Sequence, residues 1–190
     1  MKSELELRRK MTVRSGDRKL VVRKNALERI EHVLMKIFIW HLYLPKYPSA
    51  IIEHRIGDRY RPHVVALDRD HRPIFWGEAG MVTTGKIDAL LQRFPATHLV
   101  IGKWEARIEP WVEIVRELLE KRTNRSAPVD LIRFPDSVAY GGIDSSGRIT
   151  LRFADVECVR LGGIGNNGIG NNGAGNNGAG NNGIARNGAG

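Results

Sequence analysis

The apolar positions form short runs bounded by turn residues, interrupted by longer stretches of helical period. Met11 to Arg23 reads as a hairpin, with Ser15-Gly16-Asp17 as its turn and Leu20-Val21-Val22 in its second arm. Asn25 is a suitable N-cap for a long helix that runs to Leu44 and is ended by Pro45. Three strands are expected next, at Ile51 to Ile56, Arg59 to Leu67 and Pro73 to Gly80; the last two flank the turn Asp68-Arg69-Asp70-His71-Arg72. Thr83 or Thr84 can cap a helix from about Gly85 to Phe94, closed by Pro95. His98 to Trp104 is an apolar strand, and Pro110 opens a helix to about Lys121. Val129 to Phe134 and Arg148 to Val159 read as further strands. The core order is α-β-β-β-α-β-α-β, an α/β or α+β fold with a sheet flanked by helices.

The ends of the chain differ from this pattern. From Gly162 onward a five-residue repeat of the type Gly165-Asn166-Asn167-Gly168-Ile169 has no apolar face to bury and much backbone entropy to lose. The sequence therefore predicts a flexible N-terminus over residues 1–11, a single domain over 12–161 and a disordered Gly/Asn-rich tail over 162–190. Amide ladders in such a tail are an alternative route to self-association.

Several positions within the domain stand out chemically. Around the long helix, Leu27, Ile30, Leu34, Met35, Ile37, Phe38 and Leu42 form one apolar arc, with Glu28, Arg29, His32 and Lys36 opposite. Glu31 falls near the centre of the apolar arc. A carboxylate buried there must meet a cation, a donor or a metal; the alternative is an internal ion pair, or a helix end from which it reaches water. His41 also points toward the arc and reads as a satisfied core histidine. In the hairpin that follows, Ile74, Trp76, Glu78 and Gly80 share one strand face. A turn centred between Asp70 and His71 pairs residues whose numbers sum to 141, which sets His63 opposite Glu78 unless a bulge shifts the register. An imidazole beside a carboxylate can ligate a divalent metal or form a cross-strand ion pair. Lys86 sits in the first turn of the next helix, where the helix dipole is unfavourable to it unless an anion is near.

Charge alters the picture more than composition does. The net charge of +9 and pI of about 10.0 favour a polyanionic partner such as nucleic acid, or else simply solvate the surface. No apolar run reaches the roughly 18 residues of a membrane span, and the start, MKSELELRRKM, has no signal-peptide core. A single cysteine, Cys158, excludes an internal disulfide framework. A cytoplasmic location without membrane partners is the expectation.

The stretch Glu31-His32-Val33-Leu34-Met35-Lys36-Ile37-Phe38-Ile39-Trp40, then Arg61-Pro62-His63, Phe75-Trp76-Gly77-Glu78-Ala79-Gly80 and Lys86-Ile87, resembles the YaeQ family of the PD-(D/E)XK restriction-endonuclease-like superfamily. The resemblance spans roughly residues 25 to 135 and implies an αβββαβ core. It implies that Glu31, His63 and Glu78 hold Mg²⁺ or Mn²⁺ and that Lys86 is a catalytic lysine migrated from the position of Gly80. His63 departs from the pattern, standing where the superfamily has aspartate. The implied activity is metal-dependent hydrolysis of DNA or RNA. The alternatives are a catalytically inactive relative that binds nucleic acid or protein, and a purely structural partner protein.

Overall fold

The computed structural model describes residues 10–104, 107–122 and 124–163. An antiparallel hairpin opens the fold: β1 (Lys10–Ser15) and β2 (Arg18–Arg23) turn at Gly16, whose φ is +54°. Helix α1 (Ile30–Tyr43) follows, then β3 (Ile51–Ile52), β4 (Val64–Leu67), β5 (Pro73–Ala79), α2 (Thr84–Arg93), β6 (His98–Lys103), α3 (Glu109–Glu120), β7 (Val129–Arg133), a short α4 (Asp136–Gly141) and β8 (Glu157–Leu161). Strands β3 to β8 form one mixed sheet in sequence order. The β5–β6–β7 pairings are parallel and the remaining neighbours antiparallel. The run α1-β3-β4-β5-α2-β6 is the αβββαβ order expected from the sequence. Among the described residues no helix is long and apolar enough to cross a membrane.

The sheet separates two cores. On one face α1 packs Phe38 and Ile39 against Phe75, Ala79, Val100 and Ile132. On the other, α2 and α3 pack Ile87, Leu91 and Val115 against Trp76, Leu99, Ile101 and Leu131. Helix α1 lies close to the sheet because glycines are beneath it. A Cβ on Gly77 or Gly102 would come within 2.8 Å of Ile39, closer than carbon atoms pack. The helix runs antiparallel to β5: His32 lies over Gly80 past the strand's end, while Tyr43 stacks on Phe75 near its start. The N-terminus of α1 and the C-terminus of β5 therefore meet at one end of the molecule.

Several boundaries differ from those expected. Helix α1 begins at Ile30, not near Asn25, because Asn25 and Glu28 close a separate turn: the Asn25 N–H donates to the Glu28 carboxylate and the Glu28 N–H to the Asn25 carbonyl. Leu27 is consequently exposed instead of facing the core. Lys36, assigned to the polar side, is fully buried. The segment 53–63 is an irregular loop apart from its flanking strands. Arg148 to Val159 is a bridge, a 3₁₀ turn (Phe153–Asp155) and only then strand β8, and α4 was not foreseen. The tail repeat after Gly163 and the first nine residues lie outside the described residues.

Candidate functional site

The β4–β5 hairpin sets the geometry. Val64 pairs with Gly77, Val65 with Trp76 and Ala66 with Phe75, so the numbers sum to 141 as the sequence suggested. The bulge falls beyond Ala66 and leaves the site end in register. His63, one residue before β4, donates its backbone N–H to Gly77 and stands beside Glu78, its side-chain Nδ1 3.1 Å from Oε2 of that carboxylate. Glu78 is 1% exposed. Its Oε1 accepts from Lys86 Nζ at 2.7 Å and from Trp76 Nε1 at 2.7 Å. Lys86 is placed by Thr83, whose hydroxyl caps α2 by accepting the Lys86 N–H at 3.2 Å. His63, Glu78 and Lys86 therefore meet in one cluster.

Glu31 does not join them. Because α1 starts only one residue earlier, Glu31 lies in the first helical turn, and its carboxylate pairs with Arg29 at 3.1 Å while remaining partly in water. Helix α1 also covers the sheet face opposite to the one that carries Glu78. The helix contributes His32 instead, and the turn before it contributes Glu28. His32 Nε2 lies 3.2 Å from His63 Nε2, with the two rings at 87°. His32 Nδ1 lies 2.8 Å from Glu28 Oε1, which also accepts from Lys36 Nζ at 2.6 Å; Lys36 Nζ in turn lies 2.6 Å from Glu53 Oε1. A continuous polar chain thus runs Glu53–Lys36–Glu28–His32–His63–Glu78–Lys86. Sequence reasoning missed Glu28, His32 and Lys36 because it set all three on the polar side of one long helix, whereas their convergence depends on the turn before α1 and on the hairpin end. His41, by contrast, is satisfied as expected: Nδ1 meets Ser15 Oγ at 2.7 Å and Nε2 meets the Leu151 carbonyl at 2.9 Å.

The hydrogen bonds assign the proton positions. The Ala79 N–H donates to His63 Nδ1 at 3.0 Å, so a neutral His63 carries its proton on Nε2 and gives it to His32 Nε2. His32 then carries its proton on Nδ1 and gives it to Glu28. The same assignment leaves Glu78 Oε2 without a hydrogen bond although it is buried, because the nearby Nδ1 offers it a lone pair and not a proton. Burial alone would raise the Glu78 carboxyl, but the His63 ring, which when protonated donates to it and adds positive charge, and the Lys86 ammonium outweigh burial and hold the group below the ordinary carboxylate value. Glu28 behaves likewise: burial opposes ionisation, and Lys36, the Asn25 N–H and His32 overcome it. Burial, reinforced by His63 and Lys36, pushes the His32 imidazole below its usual value.

This donor set does not fit a resident Mg²⁺ or Mn²⁺ centre of Glu31, His63 and Glu78. Such hard cations need several oxygen ligands. Of the two proposed carboxylates, Glu31 is held by Arg29, and one oxygen of Glu78 is already taken by Lys86 and Trp76. Among the described residues no three of His, Cys, Asp and Glu converge as a metal-holding group. The mouth of the cluster is basic. In the loop 53–63, Arg55, Arg59 and Arg61 are exposed; the Arg59 guanidinium lies 4.6 Å from the Tyr60 ring centroid and Lys86 Nζ lies 5.5 Å from it. A separate cavity of about 530 Å³, lined by Gly142, Leu151, Arg152 and Asp155 among others, contains none of these residues.

The chain matches no protein-family model, and comparison with curated proteins finds no match. Solved structures do match. The YaeQ protein from Xanthomonas axonopodis pv. citri superposes with a TM-score of 0.54 at 14% identity, over 80% of this chain and 89% of that one. The YaeQ protein from Pseudomonas syringae superposes with a TM-score of 0.51 at 15% identity, over 75% of this chain and 77% of that one. The fold of this chain is YaeQ-like.

Proposed function

We propose that the chain is a nucleic-acid-binding module on a YaeQ-like fold, whose central acid has been turned into an internal ion-pair network. The observation that carries this reading is the state of Glu78. Its Oε1 is saturated by Lys86 and Trp76, and Glu31, the partner acid a hydrolytic metal would need, is paired with Arg29. The same end of the molecule presents exposed Arg55, Arg59 and Arg61 around Tyr60, a basic and aromatic surface suited to phosphates and stacked bases. A net charge of +9 supplies the long-range attraction.

One observation favours a second reading, metal-dependent phosphodiester hydrolysis with Mg²⁺ or Mn²⁺ at His63 and Glu78. Lys86 lies 2.7 Å from Glu78, the neighbourhood that the resemblance assigns to a catalytic lysine. That reading requires the substrate phosphate to bring the missing oxygen ligands.

Two measurements on the full chain separate the readings. Binding of single- and double-stranded DNA and RNA, followed by fluorescence anisotropy against salt, should weaken steeply as salt rises. Replacing Arg59 or Arg61 by alanine should lower the salt slope by about one each. Incubation of the same substrates with Mn²⁺ should yield no products. Cleavage that stops with EDTA and disappears in Glu78→Ala would transfer the conclusion to the hydrolytic reading, and salt-independent or absent binding would remove the module reading.

A further inference from the structure

We propose that His32 and His63 form an open two-imidazole site for a borderline transition metal, Zn²⁺ and its neighbours Ni²⁺ and Cu²⁺, with Glu28 and Glu78 as the carboxylates that orient the two rings. The site is independent of whether the chain binds nucleic acid, and it differs in donors and in metal class from an oxygen-rich Mg²⁺ centre.

The first support is the facing of the two Nε2 atoms, 3.2 Å apart with their rings nearly perpendicular. Two nitrogens bound to one tetrahedral Zn²⁺ at the usual bond length lie about 3.3 Å apart. The separation of the two nitrogens therefore already matches that of a shared cation, and turning the rings so that both lone pairs converge completes the fit. The second support is what stands behind each ring. Metal-bound histidines usually give their other N–H to a carboxylate, which fixes the tautomer and strengthens the ligand. His32 Nδ1 has Glu28 Oε1 at 2.8 Å, and His63 Nδ1 has Glu78 Oε2 at 3.1 Å. Both carboxylates are themselves held, Glu28 by Lys36 and Glu78 by Lys86 and Trp76.

The third support is the orphaned oxygen. Glu78 Oε2 is buried with no hydrogen bond while His63 is in its metal-free tautomer. When a metal takes Nε2, the His63 proton moves to Nδ1 and faces that oxygen. The exchange gives up the Ala79 N–H···Nδ1 bond and gains a charge-assisted one to a group that otherwise has no partner. The side chains of His32 and His63 are 32% and 23% exposed, so solvent reaches the cation position. No third His, Cys, Asp or Glu completes the set among the described residues, and water or a ligand would fill the remaining positions.

Isothermal titration of the full chain, carrying no histidine tag, with Zn²⁺ alone tests the site. One equivalent should bind, unaffected by millimolar Mg²⁺. His32→Gln and His63→Gln should each weaken binding by at least about tenfold, and Glu28→Gln by about 10- to 100-fold through ring orientation. Circular dichroism checks that the variants fold. Should any of them unfold, Co²⁺ added to the wild-type chain provides the second reading: intense visible bands of a tetrahedral centre with nitrogen ligands support the site, and weak octahedral bands overturn it. Failure of the wild type to bind Zn²⁺ also overturns it. So does equal binding by folded His32→Gln and His63→Gln, which would place the metal on the exposed His54 or His71 instead.

Discussion

Helix α1 has a polar network at each end, and the two are built to different standards. At its C-terminal end Asp130 is completely buried, and both of its oxygens are filled: Oδ1 accepts from Arg160 Nε at 2.7 Å, while Oδ2 meets Arg160 Nη2 at 2.8 Å, His98 Nε2 at 2.9 Å and the Tyr43 hydroxyl. His98 is held in turn by Tyr47 at 2.9 Å. At the N-terminal end Glu78 is equally buried, yet one oxygen has no hydrogen bond and the histidine beside it faces a second histidine. A buried polar group that is fully paired ties α1, β6, β7 and β8 together and has no capacity left for a ligand. One that is left half-paired is stable only with a partner still to come, or with strain accepted for function. The difference separates a structural lock from a site, although both consist of an acid, a histidine and a basic side chain.

The lock should show the largest response. Asp130→Ala leaves Arg160, His98 and Tyr43 without their shared acceptor and should cost about 3–5 kcal/mol in urea denaturation, the usual loss when one member of a buried charged set is removed. A loss below about 1 kcal/mol would erase the distinction. Its pH dependence has a definite sign. Burial opposes ionisation of Asp130, but Arg160 and His98 dominate and hold its carboxyl far below the ordinary aspartate value. A group depressed on folding contributes stability that is present above the unfolded pKa of about 4 and is lost as pH falls toward the folded value. Wild-type stability should therefore decline below about pH 4, and Asp130→Asn should flatten that decline.

The site should respond less. Glu78→Gln keeps the volume and the Trp76 bond but removes the charge opposite Lys86, and the orphaned oxygen loses nothing because it had nothing. We expect about 1–2 kcal/mol, below the effect at Asp130, with Lys86 relieved by its access to water. Equal costs for the two acids would mean that the second cluster is another lock. The thiol beside the lock offers a smaller, local readout. Burial, with Asp130 adding to it, pushes Cys158 up to about 12, so labelling by iodoacetamide near pH 8 should be slow in the folded chain. Asp130→Asn should accelerate it measurably.

Much of this architecture is legible in the chain. The element order, the Thr83 cap and Pro110 at the start of α3 all follow from local chemistry that tertiary packing does not override. The 141 register was legible because the turn residues Asp68 to Arg72 close the hairpin and the bulge lies outside the site. It led directly to His63 beside Glu78. The start of α1 was not legible. Asn25 has the side chain of a helix cap, but Glu28 competes by bonding back to the Asn25 N–H, and this local turn delays the helix to Ile30. That delayed start exposes Leu27 and moves Glu31 from the middle of a helix face to its first turn. The role of Lys36 was hidden for another reason: its partners, Glu28 and Glu53, come from outside the helix, so no period within α1 marks it as buried.

The smallest predicted effect follows from the same shift and is the most discriminating. If Glu31 belonged to a metal centre with Glu78, its replacement would be among the most damaging in the molecule. The structure pairs it with Arg29 at the helix end, where burial opposes ionisation and the Arg29 guanidinium slightly outweighs it. Exposed pairs of this kind contribute little, because water screens the charges and both side chains lose freedom on pairing. A carboxylate in the first turn also gains from the helix dipole, which glutamine gives up only in part. Glu31→Gln should therefore match the wild type in thermal unfolding, in Zn²⁺ titration and in nucleic-acid binding, while Glu28→Gln, in the turn just before the helix, weakens metal binding. A Glu31→Gln variant that loses Zn²⁺ as Glu28→Gln does would show that both acids serve the cluster and that the polar chain does not end where the hydrogen bonds place it.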